Sequence, residues 1–243
     1  LRNRIFGKNL QDIRRRDLIV KTKLENVKPK EIETRSFEII TEELGDKKLQ
    51  PGTELIVKRC IHTSADFDYA DNLYFSKDAV PKAIEAIKHG ACIVTDTQMV
   101  KAGINKKALA KFGGEVYCFM SDEDVAKNAK SAGSTRAAAS MEKAAKLGKP
   151  VIFAIGNAPT ALVRLYELIQ ENQIQPYLII GVPVGFVNVV QSKEMIMETD
   201  VPCIVAKGRK GGSNIAACIC NALLYMIDNC EAAKMKLIDD YSA

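Results

Sequence analysis

The chain alternates short apolar runs with helical patterns, and this alternation narrows the folds that it can adopt. Each run is four or five residues long, a length typical of buried strands. Strands that alternate with helices predict βαβ units with right-handed crossovers and a mainly parallel sheet. The five predicted strands are Cys92–Thr95, Val116–Phe119, Val151–Ile155, Tyr177–Ile180 and Cys203–Ala206.

Helical periodicity fills the intervals between these runs and the segment before them. Glu54–Ile61 is ambiguous, since Leu55, Ile56 and Val57 would also suit a strand, but its apolar positions lack alternation and favour a helix. We therefore predict an α/β fold of three layers, α/β/α, around a mainly parallel five-stranded sheet. The other predicted helices are Lys30–Leu44, Asp78–His89, Gln98–Ala102, Asp122–Ser131, Thr135–Leu147, Pro159–Glu171, Asn188–Glu198 and Asn214–Asp228.

Positive charge is concentrated near the beginning of the chain. Residues 1–30 contain ten Lys or Arg and three acidic residues, a net charge of +7, so the remaining residues sum to −2 within the total of +5. We predict a basic N-terminal arm over residues 1–29, including Arg14, Arg15 and Arg16, and a single α/β domain over residues 30–243. Such an arm can bind nucleic acid, but we favour a solvated arm because short basic runs often match by chance.

Composition argues against a membrane protein and against a disulfide framework. Hydrophobic residues make up 47% of the chain and charged residues 27%, and no apolar run approaches the ~18 residues of a membrane span. Seven scattered cysteines, an odd number without framework spacing, indicate reduced thiols. We expect a cytoplasmic protein without a metal site or a membrane partner.

Three of the predicted strands end in loops rich in Gly, Pro or basic residues. These loops are Gly156–Pro159, Gly181–Val187 and Gly208–Ser213. Ligands of open α/β sheets bind beyond the carboxyl ends of the strands, where such loops meet. The loops therefore predict one shared crevice for an anionic ligand. Neither the loop Gly156–Pro159 nor the loop Gly208–Ser213 matches a Walker or dinucleotide-binding motif.

The chain has two histidines, which differ in their surroundings. His89 precedes the helix-terminating Gly90, where a basic side chain favours the helix dipole, and this structural role suffices. His62 ends the run that begins at Arg59, so on a helix the two side chains share a face, and the polar loop from Thr63 follows. A capping histidine and a catalytic proton carrier are both consistent with this pattern.

Three polar residues near predicted strand or helix ends are further candidates. Asp96 follows a strand directly and can either cap the helix Gln98–Ala102, which we slightly favour, or serve the site. Arg136 lies in a first helical turn, where a cation opposes the dipole, and this favours a binding role. Asn157 has the position of an N-cap, and the free amides of its turn would suit a carboxylate or a phosphate.

Taken together, these residues resemble the precorrin-8X methylmutases, including the cobalt-precorrin-8 methylmutases. The resemblance covers roughly residues 30–228 and excludes the basic arm. The segments that carry it contain Arg35-Ser36-Phe37, Arg59 with His62, Thr95-Asp96 with Met99, Ser134-Thr135-Arg136, Ala154–Ala161, Gly181–Val187, Ser192-Lys193-Glu194 and Gly208–Ser213.

The resemblance implies an isomerase that moves a methyl group from C-11 to C-12 of a tetrapyrrole ring in cobalamin biosynthesis. It also implies an α/β/α fold and a homodimer, with His62 as the proton donor or acceptor. No cofactor is expected, since any cobalt belongs to the substrate, which is precorrin-8X or cobalt-precorrin-8. The expected substrate contacts are Ser36, Arg59, Thr63, Asp96, Arg136, Asn157, Gly208, Arg209 and Ser213.

Two other classes of function stay open beside this interpretation. A tetrapyrrole carrier without catalytic activity would need the same loops but not His62. An α/β enzyme that acts on a phosphorylated metabolite would use the loop Gly208–Ser213 to hold phosphate.

Overall fold

A computed structural model describes residues 24–241 of the chain, with side chains described to residue 228. The chain divides into two compact units, residues 1–36 and residues 37–243. In the described part of the first unit, Arg35 forms an ion pair with Glu25 at 3.1 Å. Most of the predicted basic arm, residues 1–29, lies outside the described residues, and its boundary stays a prediction.

A six-stranded sheet forms the centre of the larger unit. Its strands are β1 (Leu73–Phe75), β2 (Cys92–Thr95), β3 (Val116–Tyr117), β4 (Val151–Ile155), β5 (Leu178–Gly181) and β6 (Cys203–Ala206). Their order is β1-β6-β5-β4-β2-β3, and every pair is parallel except β1 with β6. The predicted five parallel strands are confirmed, with small shifts at the ends of β3 and β5.

The antiparallel strand β1 was not predicted. Its three residues lie in an Asp-rich segment that reads as a loop, and a three-residue run carries no measurable period. The strand exists because Leu73 and Phe75 pair with Ala206 and Ile204 of β6. It closes one edge of the sheet through a contact that local sequence does not specify.

The helices follow the predicted pattern closely. The ambiguous segment Glu54–Ile61 is helical and extends to Ser64, so His62 lies within the helix. Two short helices were missed, namely α3 (Tyr69–Asn72) and α6 (Lys106–Ala110). The others are α1 (Ile32–Leu44), α2 (Glu54–Ser64), α4 (Ala79–Lys88), α5 (Gln98–Gly103), α7 (Glu123–Ser131), α8 (Arg136–Ala145), α9 (Pro159–Gln170), α10 (Val189–Met197) and α11 (Ser213–Tyr241).

Apolar side chains form one core on each face of the sheet. Alternate strand residues point to opposite faces, so Ile152 and Ala154 join the core beneath α2, α4 and α11, whereas Phe153 and Ile155 join the core beneath α8 and α9. The two cores establish the predicted three layers. They also place the loops after the parallel strands together at one edge of the sheet, called here the carboxyl edge.

Candidate functional site

The loops at the carboxyl edge contact one another, as their sequences predicted. The Gly212 N–H donates to the Val182 carbonyl at 2.8 Å, and the Gly185 N–H donates to the Arg209 carbonyl at 3.2 Å. A Cβ atom on Gly156 would lie 2.7 Å from the Cα atom of Ser213, so the loops after β4 and β6 touch only because residue 156 lacks a side chain. Loops that follow three parallel strands thus form one continuous surface.

Asp96 organises the loop after β4. Its carboxylate is fully buried and accepts hydrogen bonds from the N–H groups of Gly156, Asn157 and Ala158 at 2.9, 2.8 and 2.6 Å. Burial raises the pKa of Asp96, and the three N–H donors oppose that shift. The predicted capping role is wrong, because Thr97 caps α5 through the Val100 N–H at 3.1 Å.

These bonds also change the interpretation of Asn157. It is not an N-cap, since Ala158 occupies that position before α9. The amides of its turn do bind a carboxylate, but the carboxylate belongs to Asp96. The Asn157 side chain is exposed. Its predicted contact with the substrate stays a prediction, as does a direct contact of Asp96.

Lys193 supports the loop after β6 from below, a role that sequence reasoning missed. The side chain is 1% exposed. Its Nζ donates to the carbonyls of Gly208 and Lys210 at 2.8 and 2.9 Å. Burial lowers its pKa to about 8. The only signal for it in the sequence was its place in the segment Ser192-Lys193-Glu194, to which no role was attached.

The two cations of the loop Gly208–Ser213 have different surroundings. Lys210 forms ion pairs with Asp66 and Asp68, each at 2.6 Å, which tie the loop to the segment after α2. The Arg209 guanidinium is exposed and lies 5.4 Å from the centre of the Phe186 ring. Arg209 is therefore the cation of this loop that an external anion can reach.

His62 is exposed near the end of α2, and aromatic rings order its surroundings. Its ring stacks on Phe37 with centroids 5.6 Å apart. The Arg59 guanidinium lies 5.5 Å from the Phe37 centroid and 4.5 Å from that of Tyr225. Within the described part of the chain, His62 makes no hydrogen bond. Its two ring nitrogens can therefore exchange protons with a bound molecule.

A cavity of about 260 Å³ lies between α2, α11 and the end of α5. Its lining includes Arg59, Thr63, Cys218 and Tyr225. The Thr63 hydroxyl donates to the Cys218 sulfur at 3.2 Å. Hydrogen bonding from Cys60 lowers the pKa of the Cys218 thiol to about 7, with smaller contributions from Thr63 and Arg59, while burial opposes the shift. The six described cysteines are free thiols, and Cys218 alone among them is not fully buried.

Arg136 lies beside the start of α9, on the other face of the sheet. It is the first residue of α8, which Thr135 caps by accepting from the Ala138 N–H at 3.1 Å. The Thr135 hydroxyl also lies 2.8 Å from the Thr160 hydroxyl of α9. Arg136 is exposed and forms no ion pair with the described carboxylates. A cation held in this position is available to an anionic ligand.

Ser36 and His89 each make a hydrogen bond to the backbone of their own helix. Ser36 belongs to the first unit, where its hydroxyl donates to the Ile32 carbonyl at 2.8 Å. His89 caps the end of α4, with Nδ1 2.8 Å from the Glu85 carbonyl, which confirms its structural role. Two cavities of about 600 Å³ lie near His89 at the opposite edge of the sheet. We favour the carboxyl edge, because ligands of open α/β sheets bind there.

The carboxyl edge also exposes apolar surface. Phe186 and Val187 are each 80% exposed, Met99 is 70% exposed and Val184 is 49% exposed. Apolar side chains beside cations suit a ligand that combines an apolar body with anionic groups. Among the described residues, no group of three or more His, Cys, Asp or Glu could hold a metal ion. None of the described helices has the length and apolar character needed to cross a membrane.

Fold and site together define an open-sheet α/β/α protein with exposed cations and apolar side chains at the carboxyl edge of the sheet. The chain belongs to the precorrin-8X methylmutase family, whose model matches residues 31–226. Curated relatives include a cobalt-precorrin-8 methylmutase of Priestia megaterium, 46% identical over 84% of this chain and 90% of the relative. A precorrin-8X methylmutase of Pseudomonas aeruginosa is 36% identical over 78% of this chain and 91% of the relative.

A solved structure agrees with this membership. The crystal structure of a precorrin-8X methylmutase from Thermus thermophilus is 38% identical, with a TM-score of 0.74. The similarity covers 82% of this chain and 98% of that protein. The family resemblance and the fold class predicted from sequence are both confirmed.

Proposed function

We propose that this chain is an isomerase of cobalamin biosynthesis that moves a methyl group from C-11 to C-12 of its tetrapyrrole substrate. The observation that carries the proposal is the exposed His62, stacked on Phe37 beside Arg59, in a chain of the methylmutase family. The reaction is an internal rearrangement, so it needs no external oxidant or reductant. The protein must hold the ring and move a proton.

His62 is the proposed proton carrier. Protonation of a ring position reorganises the conjugated system so that C-11 can release the methyl group, and the proton then returns to the imidazole. An imidazole can both donate and accept a proton, and this suits the exchange. Stacking on Phe37 restrains the His62 ring while its nitrogen atoms stay accessible. The stacking therefore fixes the orientation of the imidazole in which it would transfer the proton.

The rim of the site is suited to the substrate's acetate and propionate groups. We propose that Arg59, Arg136 and Arg209 bind these carboxylates, since guanidinium groups bind carboxylates through two parallel hydrogen bonds. Phe186 and Val187 offer apolar contact to the flat face of the macrocycle. Asp96 acts in this proposal by shaping the loop that carries Asn157.

We further propose that the natural substrate contains cobalt. This proposal is supported by six relatives named cobalt-precorrin-8 methylmutase, which are 35–46% identical, compared with 35–38% for two relatives and a solved structure named precorrin-8X methylmutase. The cobalt ion would arrive in the substrate ring. The homodimer, the cytoplasmic location and the absence of a cofactor stay predictions.

The test is conversion of precorrin-8X and cobalt-precorrin-8, followed by visible absorption, for the wild type and for His62→Ala. We expect the wild type to form the product spectrum, faster from the cobalt substrate, and the variant to bind the substrate with little turnover. Wild-type turnover by His62→Ala would refute the proton-transfer role. Binding without conversion by the wild type would indicate a carrier, and no spectral change would contradict both functions.

A further inference from the structure

Lys193 is a buried cation without a carboxylate partner among the described residues. It lies in α10 and is 1% exposed, and its two hydrogen bonds go to carbonyl groups. Removing a charged amine from water is costly unless strong hydrogen bonds compensate. An apolar side chain of the same length would avoid that cost. The function of the buried amine is therefore to be sought in the two carbonyl groups that it binds, those of Gly208 and Lys210.

The two acceptors flank one residue. Lys193 binds the carbonyls of Gly208 and Lys210, so it anchors the peptide unit that precedes Arg209 and the one that follows Lys210. The Arg209 carbonyl is anchored in turn by the Gly185 N–H at 3.2 Å. Three carbonyl groups are thus held by donors from α10 and from the loop after β5. The backbone around Arg209 has little freedom, although its side chain is exposed.

The bonds to Lys193 also affect the charge that the loop presents. A carbonyl oxygen carries partial negative charge and repels a carboxylate. Two of these oxygens bind the ammonium group of Lys193, which adds a positive charge beneath the turn. Lys210 does not provide this charge, since Asp66 and Asp68 pair with it. Lys193 and Arg209 together leave the turn electropositive.

We propose that Lys193 is a positioning residue, which holds the turn 208–210 so that Arg209 can bind a peripheral carboxylate of the substrate. The proposal rests on the proposed function and deepens it, because it assigns a carboxylate-binding role to one loop and names its support. Lys193 itself does not touch the substrate. Its effect passes through the backbone on either side of Arg209.

The test compares steady-state kinetics of the wild type, Lys193→Met and Lys193→Arg with cobalt-precorrin-8. A charge-assisted hydrogen bond contributes enough that its loss should raise KM about tenfold, with kcat changed less than about threefold. Lys193→Arg keeps the cation and its donors and should recover much of the affinity. Lys77→Met, which removes an exposed lysine without a hydrogen bond among the described residues, is the matched control.

A double-mutant cycle with Arg209→Met separates positioning from a general effect on folding. If Lys193 acts through Arg209, the rise in KM caused by Lys193→Met should largely disappear when Arg209 is already absent. An unchanged KM in Lys193→Met, or an equal rise in both backgrounds, would overturn the proposal. Should Lys193→Met not fold, Lys193→Gln supplies a neutral donor for the same cycle. Lack of turnover by the wild type would instead refute the proposed function.

Discussion

Three backbone N–H groups converge on the Asp96 carboxylate, so one side chain determines the shape of the loop after β4. The sequence correctly placed Asp96 at the C-terminal end of β2, but the predicted hydrogen-bond partner, the start of α5, was wrong. A cap is a local contact, whereas the real partners lie some sixty residues further along the chain. Local rules could not select them, because they depend on the pairing of β2 with β4.

We expect Asp96→Asn to destabilise the protein by about 1–3 kcal/mol, since the amide NH₂ faces an N–H donor that then has no acceptor. The measurement is the free energy of unfolding in urea. Asp200→Asn removes the same charge from an exposed position and serves as the control. Equal stability of the two variants would contradict the assigned role of Asp96.

Cys218 is the described thiol that we expect to react first with iodoacetamide. Its pKa is lowered to about 7, and the thiolate is the reactive form. The alkylation rate should therefore rise with pH through a midpoint near 7, below the ~8.5 of an ordinary thiol. The groups that interact electrostatically with Cys218 are Arg59 and Cys60 of α2, Tyr69 of α3 and Cys220 of its own helix.

The labelling is measured by mass spectrometry of the Cys218 peptide, which separates it from the other cysteines. Cys60→Ala removes the main hydrogen-bond donor and should move the midpoint to higher pH. Thr63→Val should cause a smaller shift in the same direction. A midpoint near 8.5 in the wild type would show that these donors do not stabilise the thiolate.

At the scale of elements, the parallel strands could be predicted because each is a short apolar run between turn residues. The helix α2 was also predicted from its own residues, because its apolar positions lack the alternation of a strand. For the loops after the strands, the sequence predicted that they lie together, but not which atoms join them. Which groups hold the loops together depends on backbone atoms and on Lys193, and a motif does not reveal such contacts.

Gly156→Ala should weaken the contact between the loops after β4 and β6. The new Cβ would lie 2.7 Å from the Ser213 Cα and 3.0 Å from the Gly212 carbonyl oxygen, so backbone must move. Overpacking of this kind costs about 1–3 kcal/mol. Gly181→Ala is the control, because its Cβ would meet only side chains at 3.5 Å or more. Urea unfolding should show a loss at residue 156 and little change at residue 181.

At the scale of the whole molecule, the excess of positive charge lies outside the part of the chain that the family model matches. The family match begins at residue 31, after all ten Lys and Arg residues of the first thirty. We expect simultaneous replacement of Arg14, Arg15 and Arg16 by alanine to leave methylmutase turnover unchanged. Turnover is measured by absorption, and binding of a labelled oligonucleotide by fluorescence anisotropy. Loss of salt-sensitive nucleic-acid binding in this variant would support the nucleic-acid alternative for the arm.

The antiparallel pairing of β1 with β6 has a consequence for the order of folding. Leu73 is paired with Ala206, so this edge of the sheet cannot form until most of the chain has left the ribosome. Contacts between residues so distant in sequence slow folding, because a long loop must close before they form. Lys210 binds Asp66 and Asp68 just beyond the same junction. The carboxyl edge should therefore be completed late in biosynthesis, after the central strands have assembled.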